Sequence, residues 1–140
     1  MIYLDIDGVL ILSGDAADSL AVKQRARLVS DLCKNSGASI VISSQRRISD
    51  DVITLLTDLG LDGHMTRQAD QRTPFLTDLD PDLPVRGQEI DAHMKANNVQ
   101  RHVILDDDFA LATHRQVHVD PQVGLTQRDI QQAQEMLCAD

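Results

Sequence analysis

Ile2-Tyr3-Leu4-Asp5-Ile6-Asp7-Gly8-Val9 opens the chain as an apolar run that ends in two carboxylates and turns on a glycine. An unbroken apolar run of this length is the pattern of a strand buried on both faces of a parallel sheet. Carboxylates are costly to bury unless something cationic meets them. The C-terminal edge of an open α/β sheet is where ligands bind. The pattern returns late in the chain, where Val103-Ile104-Leu105 runs straight into Asp106-Asp107-Asp108. Two strands ending in acids can converge on one divalent cation, and magnesium favours a few carboxylates plus substrate phosphates over an all-protein cage.

The stretches between these strands alternate in period. Residues 19–35 carry apolar positions Leu20, Ala21, Leu28, Val29, Leu32 and Cys33 at helical spacing, with Asp18 or Ser19 as cap and Gly37 as terminator. Residues 39–42 read as a second buried strand. Ser49-Asp50-Asp51 opens a helix with Val52, Ile53, Leu55, Leu56 and Leu59 on its apolar face. Residues 61–85 are irregular, with a short strand expected near His64-Met65. A helix over 86–97 buries Ile90 and Met94. Strands follow at 102–105 and 117–119, and Thr126 with Asp129 forms a capping box for the last helix. Strand and helix in alternation predict a three-layer Rossmann-like α/β fold, a parallel sheet with helices on both faces. Residues 1–140 are expected to form one domain, with residues 9–18 reduced to a turn or small hairpin.

Composition narrows the partners. The net charge of −9, from 13 basic and 22 acidic residues, opposes broad binding to nucleic acid or anionic membrane. Tyr3, Phe75 and Phe109 are the only aromatic residues, so no stacking platform for a single strand is expected. A stable nucleic-acid complex is therefore not expected. Cys33 and Cys138 lack metal spacing and form no disulfide framework, which fits a cytoplasmic protein. No run approaches the length of a membrane span. His64, His93, His102, His114 and His118 are scattered without zinc spacing and read as structural or surface residues.

Four segments carry chemistry. Asp5 can attack a phosphate as a nucleophile, provided a metal offsets the repulsion between anions. Asp7 lies two residues on, placed to protonate a leaving oxygen and then to deprotonate water. Ser43 and Ser44 follow the second strand, where a hydroxyl either donates to a phosphoryl oxygen or caps a turn. Arg46 and Arg47 come next; a solvated face is their default, although either can attract a phosphorylated substrate. Arg86 can balance phosphoryl and carboxylate charge. Lys95 is its rival but sits two turns inside a helix. Asp5, Asp106 and Asp107 can hold magnesium through oxygen.

This order of strand-Asp-x-Asp-Gly-Val, strand-Ser, arginine and strand-Asp-Asp resembles the haloacid dehalogenase superfamily of phosphatases. Ile40-Val41-Ile42-Ser43-Ser44 with Arg47, Arg86-Gly87-Gln88-Glu89-Ile90, Val103 to Asp108, and Gly124-Leu125-Thr126 resemble one branch, the domain of Swiss Army Knife RNA repair proteins. The resemblance implies a magnesium-dependent phosphomonoesterase with Asp5 as phosphorylated nucleophile and Asp7 as general acid/base. Ser43 would bind the phosphoryl group, joined by Ser44 and Arg47, and Arg86 would fill the basic position. Asp5, Asp106, Asp107 and the backbone carbonyl of Asp7 would hold magnesium. It also implies a nearly capless domain open to large substrates: a nucleic-acid end, a nucleotide or a phosphoprotein. The branch often has an aromatic residue where this chain has Arg46. Two other classes remain open: a phosphorylatable receiver-like signalling domain and a phosphate-binding module without catalysis.

Overall fold

The computed structural model describes residues 1–139. Four strands form one sheet: β1 (Ile2–Leu4), β2 (Ile40–Ile42), β3 (Val103–Asp106) and β4 (Gln116–His118), in the order β2-β1-β3-β4. Every pairing is parallel. Four α-helices accompany it: α1 (Leu20–Ser36), α2 (Asp51–Asp58), α3 (Val85–Ala96) and α4 (Gln127–Cys138). β1 is shorter than its apolar run suggests, whereas β3 extends beyond its own to Asp106. Asp5 and Ile6 lie beyond β1, although the Asp5 amide still donates to the Leu105 carbonyl at 3.0 Å.

Alternation along the strands divides the interior. Ile2, Leu4, Ile40, Ile42, Val103 and Leu105 face a large core that takes Val22, Val29 and Leu32 of α1, Val52 and Leu56 of α2, and Ile130 and Leu137 of α4. Tyr3, Val41 and Ile104 face a small core closed by Ile90 of α3. Three helices therefore serve one face and α3 alone serves the other. That thin side is completed by polar rings. The Tyr3 hydroxyl lies 2.8 Å from Nδ1 of His93, whose Nε2 lies 2.7 Å from the Asp70 carbonyl. A carbonyl only accepts, so Nε2 carries the proton and Nδ1 accepts from tyrosine.

The local signals act largely as their chemistry dictates. Ser19 caps α1 at the Val22 amide, and Gly37 ends it with φ 74°. Thr126 and Asp129 form the reciprocal capping box. At α2 the residue in the capping position is Asp50, while Ser49 Oγ accepts from the Asp51 amide. The strand expected near Met65 is a single bridge to Ile40 beside a 3-10 turn at Asp62–His64. A second short 3-10 helix, Gln45–Ile48, follows β2 directly.

Candidate active site

Register builds the site. Leu4 pairs with Ile42 on one side and with Leu105 on the other. The next residue along each strand is Asp5, Ser43 and Asp106, so the three stand side by side at the C-terminal edge. Alternation continues past the pairing and turns them to the Tyr3–Val41–Ile104 side, the side that α3 covers. Arg86, in the first turn of α3, therefore meets them. Its Nη1 donates to both oxygens of Asp106 at 2.9 and 2.8 Å and lies 3.3 Å from Asp5 Oδ2. Gly87 lets the helix come this close: a Cβ there would sit 2.6 Å from the Leu111 nitrogen.

The charge at this sheet edge is concentrated. Asp5 and Asp106 are buried. Burial, then the neighbouring charge of Asp106, pushes the Asp5 carboxyl up to about 8 against the pull of Arg86. Burial also raises Asp106, with Arg86 opposing it. Asp107 adds a third carboxylate, and one oxygen from each of the three lies within 4.8 Å of the others. Gly8, at φ 82°, lets the first loop pass this cluster, since a Cβ there would lie 2.6 Å from Asp107 Oδ2. Among the described residues this is the one group able to hold a metal ion. Hard oxygen donors and uncompensated negative charge fit magnesium.

Ser43 and Ser44 have different surroundings. Ser43 is buried, and its Oγ is one of three buried side-chain atoms without a hydrogen-bond partner among the described residues. A buried hydroxyl without a partner is costly unless a ligand satisfies it. Ser44 Oγ is occupied as the cap of the 3-10 turn, accepting from the Arg46 amide at 3.2 Å.

Arg47 corrects the expectation of a substrate ligand. It is 1% exposed. Nε donates to the Thr73 carbonyl, Nη1 to the Ser43 and Ser44 carbonyls, and Nη2 to the Pro74 carbonyl and to Glu89. Those contacts occupy all five donors of a guanidinium. Phe75 lies over the group, 3.7 Å from its centre. No donor remains for a phosphate; Arg47 instead ties the turn after β2 to the irregular segment and to α3. Sequence reasoning passed over Glu89, whose buried place on the helix of Arg86 was hidden by its charge.

Asp7 stands outside the carboxylate cluster. Its two oxygens accept from Nε and Nη2 of Arg46, both at 2.8 Å, in an exposed fork. Any metal contact from Asp7 is thus left to its backbone carbonyl. Lys95 is far from this chemistry in role: it pairs with Asp91 and is 77% exposed.

The model of one protein family, described as the HAD domain in Swiss Army Knife RNA repair proteins, matches residues 1–130. The chain belongs to this family. No curated protein and no solved structure matches it significantly. The HAD domain accounts for the parallel sheet and for phosphatase-type hydrolysis as the broad activity, and its relatives generally use magnesium. As expected for a capless HAD domain, no cap domain is present among the described residues. No described helix is long and apolar enough to cross a membrane.

Proposed function

We propose that the protein is a magnesium-dependent phosphomonoesterase working through an aspartyl-phosphate. The observation that carries this reading is the row of Asp5, Ser43 and Asp106 at one sheet edge, with Arg86 laid across it. Asp5 attacks phosphorus, and the ester oxygen leaves as the new acyl-phosphate bond forms. Asp7 gives that oxygen its proton. Asp7 then takes a proton from water, whose oxygen attacks phosphorus and returns Asp5 as a free carboxylate. Ser43 Oγ donates to a phosphoryl oxygen, and Arg86 stabilises the charge spread over the transferring group. Magnesium, held by Asp5, Asp106, Asp107 and the Asp7 carbonyl, would neutralise carboxylate and phosphate together so that the two anions can meet.

The substrate is a phosphate monoester on a nucleotide or a nucleic-acid end, because the capless edge admits a bulky group. A phosphoprotein is the alternative source of such a group. Both cysteines are free, in keeping with a reducing cytoplasm. The test is turnover of an aryl phosphate with magnesium by the wild type and by Asp5→Asn. The variant is expected to be inactive; turnover near that of the wild type removes Asp5 as the nucleophile.

A further inference from the structure

Arg46 is the charged side chain at the sheet edge that this scheme leaves without a task. Three observations converge on it. Its guanidinium holds Asp7 through two hydrogen bonds of 2.8 Å, so it lies against the residue assigned to the leaving oxygen. It opens onto a cavity of about 530 Å³ that runs past Asp7, Gly8 and Asp107 to Asp15 and Gln122. Among the described lining residues it is the only cation there.

We infer that Arg46 is a specificity residue that selects substrates whose leaving group carries a second anionic group, a further phosphate. The inference rests on the proposed hydrolysis, because it is Asp7 that marks the leaving-group side. The transferring phosphoryl group already has Ser43 and Arg86. A second phosphate beyond the ester oxygen would enter a cavity whose wall carries Asp7, Asp15 and Asp107. Arg25 holds Asp15 at 2.7 Å, which leaves Arg46 as the lining group able to receive an anion.

The Arg46–Asp7 pair is suited to exchange. The two side chains are 44% and 60% exposed, and an ion pair that open is weak. The guanidinium fork matches phosphate as well as carboxylate, and phosphate brings more charge. A substrate phosphate therefore displaces Asp7 from Arg46. Both Asp7 oxygens are then free to turn to the leaving oxygen. A substrate without the second anion must open the pair with nothing in return.

The test compares adenosine 3′,5′-bisphosphate with adenosine 5′-monophosphate, and fructose 1,6-bisphosphate with fructose 6-phosphate, in the wild type, Arg46→Gln and Arg46→Lys. Wild-type kcat/KM is expected to favour the two-anion member by about tenfold or more, the scale of one charge-assisted fork. Arg46→Gln brings that ratio close to one, and Arg46→Lys keeps part of it. A preference in both pairs assigns the site to the anion alone; a preference in the adenosine pair only assigns it to nucleotides. The second readout is calorimetric Kd in the Asp5→Asn background, where Arg46→Gln is expected to weaken the adenosine bisphosphate about tenfold. A wild-type ratio near one, or a Kd that Arg46→Gln leaves in place, overturns the inference. Arg46-dependent binding with no turnover of any ester overturns the phosphatase reading and, with it, the leaving-group assignment, whereas turnover of the esters with no dependence on Arg46 overturns this inference alone.

Discussion

Asp5→Asn should stabilise the metal-free protein while removing its activity. Folding moves the Asp5 carboxyl from its ordinary value of 3.8 to about 8, chiefly by burial and then by the charge of Asp106. Between those values the folded protein holds a proton that the unfolded chain releases. Stability therefore falls as pH rises across that window, by about 1.4 kcal/mol per unit, and levels off above it. At pH 7 the accumulated cost is about 4 kcal/mol. Asparagine has no charge to bury, but it weakens the contact with Arg86, so a gain of about 2–4 kcal/mol is expected. For a chain of this length that raises Tm by on the order of 10 °C. The assay is thermal unfolding of wild type and Asp5→Asn in EDTA, from pH 5 to pH 8, read as the difference at each pH. The gap should widen with pH. Saturating magnesium should reverse the order, because the wild type, with all three carboxylates, gains more from binding the ion. A variant no more stable than the wild type at pH 8 in EDTA, or a gap that ignores pH, would refute the crowding of carboxylates argued above.

Two further outcomes concern the frame around the site. Arg47→Met leaves Glu89 buried without its partner and should cost about 3–5 kcal/mol in urea unfolding, with much of the loss recovered by adding Glu89→Leu; a single variant as stable as the wild type would show that the pair does not hold the segment. His102 is neutral in the fold, burial having pushed it down to about 4 from an ordinary 6.5. The unfolded chain takes up that proton first, so stability is lost as pH falls from about 6.5 to 4, by roughly 3 kcal/mol. His102→Gln should unfold in urea with a smaller loss between pH 7 and pH 4, and an equal loss would place the acid sensitivity elsewhere.

The legible part of this protein is local. The apolar runs at Ile2, Ile40 and Val103 marked three strands, and the alternation with helices predicted the parallel α/β layers. Cap chemistry at Ser19, Gly37 and Thr126 set helix ends because a cap is satisfied within a few residues of itself. Asp5 and Asp106 were visible as candidates for a related reason, since acids after apolar strands are conspicuous, and Arg86 as the cation at the start of the helix before the third strand. Arg46 and Arg47 were not separable. They are adjacent, alike and equally polar, yet one is among the most buried side chains and the other reaches into the cavity beside Asp7. Their difference depends on Thr73, Pro74, Glu89 and Asp7, which lie in other segments.

The sequence by itself determined which backbone stretches become strands and helices, and which residue types stand at the sheet edge, because period and capping act over a few bonds. Only the tertiary structure decided which of those side chains share a charge environment. Strand register set Asp5, Ser43 and Asp106 abreast, and the side taken by α3 brought Arg86 onto them. Electrostatic effects depend on distance and burial, and both arise between segments far apart along the chain.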